Sequence, residues 1–471
     1  MKILLINPSM KSPVMGLDSF IKAPPLGLMQ LAAVVPDHEV EILDLKYRNL
    51  SSRSLAKKIS RADVVGVSTL TPSYSATLKI CQIAKEQGIP TIVGGYHPTL
   101  VPEVIERPEI DYIVRGEGEL TFPQLVDALD NGQKMDDVLG ISFKKNGGVQ
   151  HNSERPLIED LDTIPFPRRN LVRNNYYSYF GASVDVLESA RGCVHDCHFC
   201  CVIQFNNRRW RKKSPERVIE ELQQMNQRRT WHIFQDSEFT LNMKRVGVIC
   251  DQIIQHGLEN KWYSAQGRVD DVVNHPDIVD KMQEAGFKML FIGIESIFQK
   301  SLDKIGKKIT IEQIKEAVKM LHDRGITIFG SIIIGNIGEN REDALKTINF
   351  ARDLDIDLMQ FTPLTPYPKT RLFEEATKEG WIKEPNYDKW NLVEPIMATP
   401  ELSIKEIHDL VIQAYRSFYI DGFRTNFLMR GGMRMSQDQF LWFWRMVPDF
   451  LTTSIPAIFK FIGDLRKANN H

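Results

Sequence analysis

The sequence predicts an α/β protein: a doubly wound parallel sheet, then a partial barrel of six βα units, then a mostly helical carboxyl-terminal region. Short apolar runs alternate with helical patterns from Lys2 to Val114. Six further apolar runs, each followed by a helical pattern, extend from Val184 to Pro363, and beyond Pro400 the pattern is helical. The boundaries these patterns suggest are residues 1–149, a linker over 150–180, the barrel over 181–380 and the helical region over 381–471.

In the front unit the strand candidates are Lys2–Asn7, Val40–Leu45, Asp63–Ser68, Thr91–Gly94 and Tyr112–Val114, with helices over Leu26–Val35 and Thr77–Gln87. Runs this apolar suit parallel strands covered on both faces. Several end in small or polar residues: Ser68-Thr69, Gly94-Gly95 and Gly116-Glu117-Gly118-Glu119. Such ends place a binding crevice at the carboxyl edge of the sheet, for a ligand with phosphate or amide groups. From about Gln150 to Phe180 the text is polar and proline-marked, with no sustained period. The barrel strands are then Val184–Ala190, Trp231–Phe234, Trp262–Gln266, Met289–Ile294, Thr327–Ile334 and Leu358–Pro363.

The 471 residues suffice for two or three cores, and 59 basic against 60 acidic side chains give no global field toward nucleic acid or a charged membrane. Nucleic acid is therefore not an expected partner. The amino terminus lacks the apolar length of a signal peptide, and four of the six cysteines fall between Cys193 and Cys201, unlike a secreted disulfide framework. A reducing cytosol is the expected location. Phe440 to Ile462 is rich in large apolar and aromatic residues, but Arg445, Asp449, Lys460 and two prolines make it a poor membrane span. It either packs on the barrel, lines a greasy entrance or rests on a membrane surface.

Cys193, Cys197 and Cys200 follow the first barrel strand and an Arg191-Gly192 turn. Three thiolates from one loop can hold an inorganic cluster and leave one iron open for chelation by substrate. A zinc site completed by His195 or His198 is the alternative, though this spacing is less usual for zinc. Cys201 cannot easily face the same iron, since consecutive side chains diverge.

This triad, with Phe199 before its last cysteine, resembles the signature of the radical S-adenosylmethionine (SAM) superfamily, over about Val184 to Glu375. The resemblance implies a 4Fe-4S cluster on Cys193, Cys197 and Cys200 and reductive cleavage of SAM to a deoxyadenosyl radical. It also implies SAM contacts past the second strand at Asp236 and Glu238, and past the fourth at Glu295 and Ser296. Arg268 offers a guanidinium to a carboxylate or ribose, and the backbone at Gly335 could approach an adenine. The family usually has glycine where Lys369 stands.

Gly94-Gly95-Tyr96-His97-Pro98-Thr99, followed by Gly116-Glu117-Gly118-Glu119, resembles the cobalamin-binding domain fused ahead of many such barrels. The resemblance implies cobalamin held around Ser68, Thr69, Thr71, Gly94, Gly95, His97, Thr99, Gly116, Glu117 and Glu119, with His97 at the cofactor's periphery. No Asp-x-His-x-x-Gly segment occurs, so an imidazole below the cobalt is not expected. A flavodoxin-like unit that binds FMN, or has lost its cofactor, is the alternative.

Enzymes with this pairing methylate unactivated carbons, or, like the anaerobic magnesium-protoporphyrin ester cyclase, oxidise or close rings. The expected substrate is a hydrophobic small molecule, a lipid, isoprenoid or tetrapyrrole. The expected reductant is an electron donor such as flavodoxin or ferredoxin. A cobalamin or redox sensor would not need the full run of polar strand ends. A methylthiotransferase would need a second three-cysteine cluster, and the front unit holds only Cys81.

Overall fold

Apolar runs with both faces to bury pair in parallel and draw helices over each side. The computed structural model describes residues 1–10, 21–48, 50–172 and 177–421. Its first strands are β1 (Lys2–Asn7), β2 (Ile21–Lys22), β3 (Glu39–Asp44), β4 (Val64–Ser68), β5 (Thr91–Gly94), β6 (Tyr112–Val114), β7 (Ile141–Lys145) and β8 (Gly148–His151). All but β2 form one seven-stranded sheet in the order β3-β1-β4-β5-β6-β7-β8. The strands from β3 to β6 pair in parallel, and β7 and β8 add an antiparallel hairpin. One face carries Leu4, Ile6, Val65 and Val67 against Ile80, Cys81 and Ala84. The other carries Ile3, Leu5 and Ile92 against Phe122 and Leu125. The chain leaves β1 for β3 on one side and returns to β4 on the other, so the strand order reverses between β1 and β4 and a crevice opens at their carboxyl ends.

The second sheet has eight strands. After β9 (Ser178–Tyr179), β10 (Ala182–Leu187) and the hairpin β11 (Ala190–Gly192) and β12 (Trp210–Lys212) come β13 (Trp231–Phe234), β14 (Trp262–Gly267), β15 (Phe287–Glu295), β16 (Thr327–Ile334) and β17 (Leu358–Pro363). The order is β17-β16-β15-β14-β13-β10-β9-β2. Its six parallel strands, β10 and β13 to β17, are the six the sequence predicts. The antiparallel edge is new: β9 pairs with β10, and β2, from the front of the chain, pairs with β9. Alternation sends Phe234, Tyr263, Ile292 and Phe361 outward to the helices and Val186, Trp231, Met289 and Phe329 inward. Tyr179 and Phe180 close the inner side from below and meet Trp231 and Phe329 edge to face.

Three local readings differ by more than a shift of one or two residues at an element's end. The first barrel strand stops at Leu187 rather than Ala190, because Ser189 donates both its N–H and its hydroxyl to Asp236, at 2.6 Å each, and the chain turns into the β11–β12 hairpin. The helix read from Thr77 begins at Tyr74. The polar stretch after Gln150 is no free strap: β8 reaches His151, and Ile158, Leu161 and Ile164 form a small buried cluster.

Helix Ile404–Tyr415 is opened by a Ser403–Glu406 capping box and lies against the far edge of the barrel. There the hydroxyl of Tyr419 bridges the N–H and C=O of Met359. The aromatic segment Phe440 to Ile462 lies outside the described residues, among which no helix is long and apolar enough to cross a membrane.

Candidate functional site

Gly192 sets the cluster loop. Its φ is +86°, and a Cβ there would collide with the carbonyl of Arg209 and with Asn206, so only glycine lets the hairpin turn into Cys193. From Cys193 to Cys200 the backbone is irregular and pinned from outside. His198 N–H donates to Ile305 at 3.0 Å, its C=O accepts from Leu372 at 3.2 Å, and its ring meets Glu375 at 2.9 Å. The thiols of Cys193, Cys197 and Cys200 stand in mutual electrostatic contact, and none is in a disulfide. Burial pushes Cys193 up to about 11 and Cys200 up to about 12, so these thiols ionise readily only for a bound cation. Three half-buried thiols from one loop, within electrostatic reach of one another, suit a cluster with three protein ligands.

Cys193, His195 and Glu238 also bring one ligand atom each within 4.8 Å of one another. That trio leaves Cys197 and Cys200 unused, so it accounts for less of the loop than a cluster does.

Around the thiols the strand ends supply buried charge. Arg268 pairs with Asp270 at 2.9 Å and donates to the carbonyl of Lys307 at 2.8 Å. Glu295, held in the left-handed region at φ +65°, pairs with the buried ammonium of Lys307 at 2.8 Å. Both Arg268 and Glu295 act on Cys197. Burial pushes Glu238 up to about 7, and Thr240 donates to it at 2.8 Å. Lys307 was missed by sequence reasoning: nothing in the strand pattern marks a lysine beyond the fourth strand.

Other predicted residues go elsewhere. Asp236 is buried, and its carboxylate accepts both the N–H and the hydroxyl of Ser189; it shares the parity of the outward-facing Phe234. Ser296 donates to Glu339 at 2.6 Å. At Gly335, which takes φ +82°, a Cβ would lie 3.0 Å from the side chain of Ile407, on the helix that follows the barrel. Lys369 takes φ +62°, the conformation that explains the family's glycine.

A cavity of about 220 Å³ opens at the front sheet's crevice, where Leu5, Gly66, Ser68, Gly94, Gly95 and Gly116 meet Glu188, Arg191 and Phe205 of the barrel. It is a cradle of bare backbone: a Cβ on Gly66 would lie 2.7 Å from Leu5, and one on Gly118 would lie 2.8 Å from Leu31. A corrin's nucleotide tail needs this close approach. At Gly94 a Cβ would make only ordinary contact with Val114, at 3.6 Å. Gly94→Leu should therefore fold normally and fill the cavity; cobalt per chain after reconstitution is expected to fall at least about tenfold, and unchanged cobalt would remove the cavity from consideration.

Glu117 and Glu119 line the cavity, but their carboxylates are taken. Arg191 binds Glu117 at 2.8 Å, Glu119 at 2.6 Å and Glu188 at 2.6 Å, and Arg211 binds Glu117 again at 2.8 Å. They clasp the two units together. Thr69, Thr71, Thr99 and His97 stand behind the cavity wall. Thr69 bonds Thr77 at 2.9 Å, and Thr99 donates to the carbonyl of Gly95 at 2.8 Å and accepts from the N–H of Gly116 at 3.0 Å.

His97 is fully buried between the rings of Tyr74 and Tyr387, at 4.6 and 4.7 Å, with Thr71 at 3.3 Å from Nδ1. It is not among the residues that line the cavity. Burial lowers its pKa to about 4 against an ordinary 6.5. As pH falls from 6.5 toward 4 the unfolded imidazole gains a proton that the native one refuses, so acidification favours unfolding. His97→Phe should flatten the loss of denaturation midpoint across that window; an unchanged slope would contradict the burial argument.

Two family models match the chain: the Radical SAM superfamily over residues 187–351 and the B12 binding domain over residues 14–126. An uncharacterised methyltransferase of Pyrococcus horikoshii is 38% identical over 89% of this chain and 93% of its own length. The anaerobic magnesium-protoporphyrin IX monomethyl ester cyclase of Rubrivivax gelatinosus is 32% identical over 89% of this chain and 78% of its own. A radical SAM methyltransferase of Kitasatospora setae, solved with its tryptophan substrate and a SAM analogue, shares the fold at a TM-score of 0.69 and 20% identity, over 82% of this chain and 77% of that one.

Proposed function

Since this chain belongs to the family of cobalamin-dependent radical SAM enzymes, and so works with a 4Fe-4S cluster, SAM and cobalamin, we propose that it methylates an unactivated carbon of a hydrophobic substrate of the lipid, isoprenoid or tetrapyrrole class. One observation carries the reading: Arg191 and Gly192, which run directly into Cys193, also line the front cavity. A methyl carrier in that cavity and a radical source on that loop would share one wall. When bound, the cluster and SAM supply hydrogen abstraction and the cobalamin supplies a methyl group.

On this reading the chain's own part is positional. Cys193, Cys197 and Cys200 hold the cluster, while Glu238, Arg268 and the Glu295–Lys307 pair present charge to the amino-acid end of SAM. Ser68, Gly94, Gly95 and Gly116 bear the cobalamin. Tyr96, stacked on Phe205 at 4.3 Å beside the cavity, helps keep water out between the two sites. An electron donor such as flavodoxin or ferredoxin would serve it in the cytosol, and the aromatic carboxyl-terminal segment would meet the substrate or a membrane surface.

The likeness to the ester cyclase supports a second reading, ring oxidation without methyl transfer. The two differ in their use of SAM. The chain, reconstituted anaerobically with iron, sulfide and hydroxocobalamin, would be given dithionite, SAM and a lipid extract. Methylation is expected to yield S-adenosylhomocysteine and 5′-deoxyadenosine in about equal amounts, one from each SAM consumed. Deoxyadenosine without S-adenosylhomocysteine would favour the cyclase reading, and neither product would defeat both.

A further inference from the structure

Above its aromatic floor the inner wall of the barrel changes character. The inward positions of β10, β13 and β14 are Val186, Ile233 and Ser264 at one level, in register with one another. One step further up the same faces stand Glu188, Gln235 and Gln266. Across the lumen the β14–β15, β15–β16 and β16–β17 registers link Gln266 to the half-buried Phe291 and then to Phe329 and Leu358, which are buried in the cluster of the aromatic floor. One half of the wall is thus amide and the other half apolar.

Gln235 and Gln266 are exposed, although their neighbours Phe234, Asp236, Ala265 and Gly267 are all buried. Among the described residues neither side chain has a hydrogen-bond partner, so two donor–acceptor groups face open lumen. The one charge at this level, Glu188, is neutralised by Arg191 at 2.6 Å, and Arg191 also lines the front cavity. A carboxylate or ammonium placed here would find no free counter-charge. A neutral group that both donates and accepts would find two partners.

We infer that this level of the lumen is a substrate slot. It takes an amphiphile whose uncharged carbonyl, amide or hydroxyl edge meets Gln235 and Gln266 while its apolar body lies on Phe291, the half-buried ring that faces them. The inference rests on the reading of a hydrophobic substrate and narrows it: the molecule is not a bare hydrocarbon at the end that enters the barrel, nor a free acid.

The test uses the reconstituted full chain and three probes of equal length, decanamide, decanoate and decylamine, titrated by calorimetry in the presence of SAM. The wild-type chain is expected to bind decanamide about tenfold tighter than either charged probe. Gln235→Leu/Gln266→Leu should lose about that factor for decanamide, and Gln235→Glu/Gln266→Glu should turn the preference toward decylamine. Circular dichroism melts check that each variant is folded.

Equal affinity for the three probes would overturn the slot, as would an unchanged decanamide affinity in the leucine variant. Lost SAM binding in the leucine variant would also overturn it, since the amides would then serve the nucleoside. Deoxyadenosine formation by the wild-type chain without substrate is measured separately. Cleavage of SAM without head-group preference sinks this inference alone, whereas selective decanamide binding without cleavage sinks the radical reading and keeps the slot.

Discussion

Cys197→Ala should abolish SAM cleavage and drop the reconstituted iron from about four per chain to near none, while cobalt per chain stays at the wild-type level. Cys197 is the middle thiol of the loop, and its electrostatic neighbours are Lys307, Glu295 and Arg268. Removing it takes one of three ligands, and one that both Lys307 and Arg268 favour as a thiolate. Cys201 cannot take its place, because it opens the short helix Val202–Phe205 on the far side of Cys200. The front cavity is lined by Leu5, Gly66, Gly94 and their neighbours, and Cys197 is not among its lining residues. Iron and cobalt measured on the same sample decide the matter: retained iron with deoxyadenosine formation would defeat the cluster assignment, and joint loss of both metals would show that the sites are not separable.

The second large effect is structural. Arg191→Ala would leave Glu117, Glu119 and Glu188 without their shared cation in a largely buried place, where the arginine side chain is only 14% exposed. Removing one partner of a buried ion network typically costs about 3–5 kcal/mol, because the remaining charges stay unpaired. Arg211 still holds Glu117, so the loss falls mainly on Glu119 and Glu188. The urea midpoint should fall markedly, and the cluster should load poorly because Arg191 precedes Gly192 and Cys193. Arg191→Lys keeps the charge but not the fork that reaches three carboxylates, so it should fall between the two. A wild-type midpoint in Arg191→Ala would mean the network contributes little.

Much of this architecture was legible because parallel strands buried on both faces leave near-continuous apolar runs. Thr91–Gly94, Trp231–Phe234 and Leu358–Pro363 were read at their observed ends. The cysteine loop was legible because its ligands are close in sequence. What escaped was long-range. Glu117 and Arg191 lie 74 positions apart and only the docking of the two units joins them, so their clasp could not be read from the sequence. Lys307 is invisible until the short helix Gln299–Lys304 after β15 turns the chain back and brings it to Glu295. Asp236 could have been placed from alternation, since it shares the outward parity of Phe234, whereas Glu238 lies past the strand where parity lapses. Gln235 and Gln266 carry no motif at all, and only their exposure within a buried sheet marks them.

The pairing of β2 with β9 bears on how the chain is made. Ile21 and Lys22 find their strand partners in Tyr179 and Ser178, more than 150 residues later. While the chain emerges from the ribosome, the front sheet can close around β1, β3 and β4, but the segment holding β2 must wait for the barrel's first edge to be synthesised. That edge in turn is covered only by a piece of the front unit. A barrel expressed alone from residue 181 would begin life with β10 bare on one side, an open template for another chain, so the two units are one object for biosynthesis even where each has its own core.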